Sequence, residues 1–95
     1  MYGSVSRWRL KEGKQEEFER LGDQLMRDRP AGSRSVHVYR SDTDPREYWI
    51  AGVFESREAY AASSASPEQA ARYQRLRDLM ESDPEWHDGE VVVSY

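Results

Sequence analysis

The rhythm of apolar and polar residues along this chain switches between a period of two and a period near 3.6, and each switch marks an element. From Tyr2 to Leu10, Val5, Arg7 and Arg9 share one parity and Ser4, Ser6, Trp8 and Leu10 the other, which predicts a strand. From Lys14 to Arg29 the spacing of Phe18, Leu21, Gly22, Leu25 and Met26 is that of one helix face. Glu16 and Glu17 fall in its first turn and Arg27 and Arg29 in its last, as the macrodipole favours, and Pro30 and Gly32 stop it. Alternation resumes from Ser33 to Arg40, with Val36 and Val38 on one face and His37 and Tyr39 on the other. The turn formers of Ser41 to Pro45 then predict a hairpin into a third strand, Glu47 to Glu55.

That third strand is apolar on both faces. Tyr48, Ile50, Gly52 and Phe54 share one side; Trp49, Ala51, Val53 and Glu55 share the other. A one-sided antiparallel sheet needs only one apolar face, so the second face predicts a partner. Ser56 caps a helix starting at Arg57, and small residues break it from Ser63 to Ser66. There Ser66, Pro67, Glu68 and Gln69 form a capping-box pattern with proline at the first helical position. This predicts a further helix to about Ser82, with Ala70, Tyr73, Leu76 or Arg77, and Met80 on its buried stripe and Leu79 at the margin. Asp83 and Pro84 end it, His87, Asp88 and Gly89 read as a turn, and the β-branched Glu90 to Tyr95 reads as the last strand.

The order strand, helix, strand, strand, helix, strand is that of an α+β, ferredoxin-like βαββαβ fold, a four-stranded antiparallel sheet with its helices on one face. The other face is expected to meet a second copy through Trp49, Ala51 and Val53, which makes a homodimer the expected state. Composition strengthens that expectation. The 95 residues fit one domain, 1–95, but the hydrophobic fraction is only 37% and the mean hydropathy is −1.00, so a lone copy has little apolar area to bury. Three Trp, six Tyr and two Phe offset part of this, each able to bury about 150–250 Å².

Charge and composition also exclude several functions. A net charge of −4 with scattered basic residues disfavours a nucleic-acid face, and an RNA-recognition module of the same element order would need a basic third strand that Glu47 to Glu55 lacks. Without cysteine there is no disulfide, thiol nucleophile or Cys-ligated zinc. Two separated histidines without helical His-x-x-x-His spacing make no case for a metal, and no Gly-x-Ser-x-Gly elbow supports a hydrolase. No segment reads as a leader or a membrane helix, and a cytoplasmic protein is the expectation.

The stretch from Asp44 to Tyr60 resembles the antibiotic biosynthesis monooxygenase (ABM) family of dimeric α/β barrels. Asp44 and Pro45, then Phe54, Ser56, Glu58 and Ala59 fall at matching places, as do Gly13, Lys14 and Phe18 around the first helix. Phe54 stands where the family commonly has tryptophan and Gly52 where it commonly has glutamate; Ala61, Ala62, Ser63 and Ser64 occupy a segment where many members carry histidine. The resemblance implies a dimeric barrel and a cofactor-independent monooxygenase, one that needs no metal or flavin because a small electron-rich phenol or quinol is deprotonated and itself reacts with oxygen. A non-catalytic dimer binding a small molecule or haem is the alternative.

Such chemistry needs a water-excluding cleft and one or two proton-handling groups. The cleft is expected between the helices and the face carrying Ile50, Gly52 and Phe54, with room from Gly22 and Gly52 and polar handles from Tyr60 and Tyr73. Gly22 reads equally as a close-packing site, since a helical glycine costs about 1 kcal/mol relative to alanine. His37, Tyr60 and Tyr73 are the candidate bases, His37 because histidine exchanges protons near neutrality. His37 also suits a sheet face or dimer seam, and each tyrosine suits the core with its hydroxyl at the rim. Arg7 and Arg9 read either as anion ligands in a pocket or as a solvated or dimer-facing edge of the sheet.

Overall fold

A computed structural model describes residues Met1–Tyr95. Its elements run β1 (Tyr2–Arg9), α1 (Gln15–Met26), β2 (Ser33–Arg40), β3 (Glu47–Phe54), α2 (Arg57–Ser64), α3 (Pro67–Arg77) and β4 (Glu85–Glu90). The strands form one sheet in the order β2-β3-β1-β4, every neighbour antiparallel. This is the ferredoxin-like arrangement, with the second helix split in two at the small-residue segment. No helix is long and apolar enough to cross a membrane.

Alternation decides which side chains meet the helices. Trp8 of β1, Leu10 just beyond it, and Tyr48 of β3 join Phe18 of α1, Leu76 of α3, and Leu79 and Met80 in one buried cluster. Phe18 lies 5.0 Å from Tyr48 and 5.8 Å from Trp8 between ring centroids, and each such buried ring is worth about 1.5–3 kcal/mol. Only 13 of the 95 residues are buried, so the core occupies one end of the helix layer and leaves the rest of the inner face free for a cleft.

The loops are held by named contacts. Gly32 has φ 84°, and a Cβ there would come within 2.8 Å of the Ala59 Cβ, so only glycine lets the loop before β2 lie against α2. Arg9 pairs with Asp44 and Glu81, and Arg46 pairs with Glu81, tying the β2–β3 turn to the chain after α3. The Arg9 hydrogen bond, supported by the backbone N–H of Arg46, holds the Asp44 carboxyl below its usual range. Arg7 lies between Glu47 and Glu85 on the same outer face. Both arginines are therefore spent on carboxylates away from the helices, and the anion-pocket reading of them is set aside.

Three boundaries differ from the sequence expectation. The last strand is Glu85–Glu90 rather than Glu90 to Tyr95, and it pairs with β1 from Arg7↔Glu85 to Tyr2↔Glu90. The ladder with β1 ends at Tyr2↔Glu90, and one further bond follows it, the Val91 N–H donating to the Met1 carbonyl at 3.0 Å. The β-branched tail thus runs beyond the sheet, with Val92 and Val93 exposed. Helix α3 ends at Arg77 rather than near Ser82, because Leu10 and Met80 form a bridge that pulls the chain out of the helix and buries Leu79. Helix α1 ends at Met26, so Arg27 is its C-cap and its last turn carries no basic residue.

Candidate active site

Between the helices and the free part of the inner sheet face lies a cleft of about 690 Å³. Five of the six expected cleft residues line it: Ile50, Gly52 and Phe54 as floor, Tyr60 from α2 and Tyr73 from α3. The sixth, Gly22, borders a smaller adjoining cavity with Phe18, Glu19 and Tyr48. A Cβ on Gly22 would meet nothing within 4 Å, so this glycine opens space and does not serve close packing.

The walls are aromatic. Trp8, Tyr73 and Trp86 form a cluster with ring centroids 5.8 to 6.2 Å apart, all three bordering the cleft. Tyr60 packs between Tyr2 and Phe54, 5.4 Å from each. Trp8 donates its indole N–H to the Ser6 hydroxyl at 2.7 Å, so the buried ring is satisfied without using the cleft.

The polar centre is at the β4 edge. Asp88 Oδ1 accepts hydrogen bonds from the Ser4 hydroxyl at 2.6 Å and the Tyr60 hydroxyl at 3.0 Å. Pairing brings this about, since Ser4 and Asp88 are direct partners in the β1–β4 ladder and both face the helices, where α2 presents Tyr60. Burial pushes the Tyr60 hydroxyl above its ordinary pKa, with Ser4 opposing the shift and the Asp88 carboxylate adding to it. Tyr60 therefore holds its proton at neutral pH and acts as a donor; the carboxylate is the group of this set able to accept one.

Sequence reading missed Asp88, assigning it to a turn. The segment Glu-Trp-His-Asp-Gly-Glu has little β propensity, and its one signal is period two, with Trp86 and Asp88 on the inner side and His87 on the outer. His87 bonds Glu85 at 2.8 Å on the exposed face. His37 is paired with Ala51 in the ladder and shares its outer face, so it points away from the cleft, where no imidazole is among the lining groups. Tyr73 is in place, but it contributes to the aromatic wall. No three His, Asp or Glu side chains are grouped to hold a metal ion.

Comparison with known proteins agrees with this architecture. The family model described as antibiotic biosynthesis monooxygenase matches residues 1–78. No curated protein matches the sequence. Among solved structures, the chain is similar to a point mutant of SnoaB, a cofactor-independent oxygenase from Streptomyces nogalater, at 19% identity and TM-score 0.84, covering 98% of this chain and 94% of that one. A protein from Chloroflexus aurantiacus with a provisional name in the same family superposes with TM-score 0.83 at 24% identity, over 99% and 95% of the two chains. A conserved protein from Methanosarcina mazei Go1 gives TM-score 0.82 at 16% identity, over 93% and 89%. At these identities the superpositions carry the fold, and the family match over most of the chain carries membership: the chain belongs to the antibiotic biosynthesis monooxygenase family.

Proposed function

We propose that the protein is a cofactor-independent monooxygenase of a small phenol or quinol, working as a homodimer. The observation that carries this reading is the carboxylate of Asp88, held by Ser4 and Tyr60 at the rim of a cleft walled in large part by aromatic rings. A planar electron-rich ring lies against Trp86, Tyr73 and Phe54, and Asp88 accepts the proton from its acidic position. The resulting anion supplies the electrons that reduce oxygen. One oxygen atom replaces the hydrogen of a ring C–H as a new C=O while the phenolic C–OH becomes the second C=O, and the other oxygen leaves with the C–H and O–H hydrogens as water, so no external reductant is needed. Tyr60, protonated at neutral pH, stabilises the carboxylate before transfer and can turn its hydroxyl to the substrate oxygen afterwards.

The homodimer reading is supported by the outer face. Val5 and Tyr39 are 50% and 55% exposed and Trp49 is 37% exposed, and all lie with Ala51 and Val53 on the side the helices leave bare. A second copy covering this face removes those groups from water.

The test is oxygen uptake by the purified protein with a panel of hydroquinones, naphthols and anthrones. Uptake that depends on protein and substrate, and yields a product heavier by one oxygen and lighter by two hydrogens, supports the oxygenase. Tight binding of the same compounds without uptake would reassign the protein to ligand binding.

A further inference from the structure

The cleft carries two further polar groups, apart from the Asp88 cluster, that no internal contact explains. Gln69 stands at the third position of α3, where a capping box would turn its carboxamide back to the Ser66 N–H. Only half of that box forms. The Ser66 hydroxyl accepts the Gln69 N–H at 3.1 Å, but the Ser66 N–H is already donated to the Ser63 carbonyl at 3.0 Å. The Gln69 carboxamide is thereby released. Its Oε1 is buried without a hydrogen-bond partner, and the residue borders the cleft. Ser33, at the start of β2, repeats the situation: its Oγ is buried, unpartnered and on the same cleft. Such atoms are costly when nothing satisfies them, and native folds rarely leave them so.

Strand order sets Ser33 opposite the carboxylate. Ser33 is on β2 and Asp88 on β4, the two edge strands, so three inter-strand steps, about 14 Å, separate their strands. Arg72, one turn from Gln69 on the same helix face, pairs with Asp28 at 3.3 Å, which fastens this part of α3 to the loop leading into Ser33. Between the two polar ends the floor is Gly52 and Phe54, without a hydrogen-bonding side chain.

We propose that Ser33 and Gln69 form a recognition subsite for a hydroxyl or carbonyl at the far end of a rigid aromatic ligand whose near end meets Asp88. The inference rests on the cleft being the ligand site. It names the ligand class: planar, at least two rings long, with a hydrogen-bonding oxygen at each end. No hydrogen bond restrains the Gln69 carboxamide, so a turn about its last torsion presents either oxygen or nitrogen to the ligand without breaking a contact.

The experiment is a binding titration, read by quenching of Trp8 and Trp86 fluorescence, with three probes: naphthalene, a naphthol, and a naphthalene diol hydroxylated at opposite ends. The wild-type protein is expected to bind the diol about tenfold more tightly than the naphthol. Gln69→Leu and Ser33→Ala are expected to reduce that preference to about twofold or less while naphthol affinity holds. Thermal melts of both variants should match or exceed the wild-type midpoint, because neither group has an internal partner to lose. A diol preference that survives both substitutions, absence of any preference, failure of all three probes to bind, or a marked loss of stability in the variants would each overturn the subsite. Oxygen uptake is a separate readout: diol preference without uptake sinks the oxygenase and leaves the subsite standing.

Discussion

Asp88 is the residue on which the chemistry turns. Asp88→Asn keeps an oxygen to accept from Ser4 and Tyr60, so the fold should persist, but it removes the proton acceptor. Activity in the oxygen-uptake assay should fall about a hundredfold or more, with the melting temperature nearly unchanged. Gly22 offers the opposite case, a residue whose replacement should help. With nothing within 4 Å of an added Cβ, Gly22→Ala should gain about 1 kcal/mol of helix stability, visible as a raised denaturation midpoint. Tyr48 supplies a pH signature. Burial, followed by its hydrogen bond to Glu19, raises its hydroxyl to about 12. A folded-state value above the unfolded one means the stabilisation is complete below about pH 10 and is lost as pH rises from there through about 12. That loss should be on the order of 2 kcal/mol in alkaline unfolding curves and absent in Tyr48→Phe.

Among the elements, the split second helix is what makes room for the site. Ser56 caps α2 by accepting the Ala59 N–H at 3.0 Å, and Ser66 restarts the chain as α3 with Pro67 at its first position. An uninterrupted helix would not redirect the chain between Tyr60 and Gln69, which reach the cleft from different helices. Ser66→Ala should cost about 1 kcal/mol in chemical denaturation and, because α3 carries Gln69 and Tyr73, should also weaken ligand binding. Strand β4 shows a second effect of this kind. Its sequence is a poor strand former, yet it is extended because β1 offers it a partner edge, whereas the Val-rich tail lies past the end of that ladder at Tyr2↔Glu90.

Taken entire, the protein is defined by a sheet whose third strand is apolar on both faces and whose helices cover only one. If a second copy covers the other, a charge at its centre should split the assembly. Val53→Asp, placed on the bare face, should shift the protein from dimer to monomer in sedimentation velocity at micromolar concentration. A wild-type protein that sediments as a monomer would remove the dimer from the proposed function.

The sheet-and-helix order, the two-faced third strand and most of the cleft floor were legible in the amino-acid sequence, because all three follow from local periodicity and capping. Ile50, Gly52, Phe54, Tyr60 and Tyr73 needed only parity and helical phase to be placed. The polar chemistry emerged only on folding. Asp88 became a cleft residue through pairing with Ser4, 84 positions away in the chain, and no local pattern encodes that register. His37 left the site for the same reason: its pairing with Ala51 puts it on the outer face, and alternation within its own strand does not say which parity aligns with the inner face of its neighbour. Gln69 was freed by a competition for one backbone N–H, won by Ser63 over a capping pattern that reads as complete in sequence. Local propensity set the scaffold, while long-range pairing and competition for hydrogen bonds chose the groups that line it.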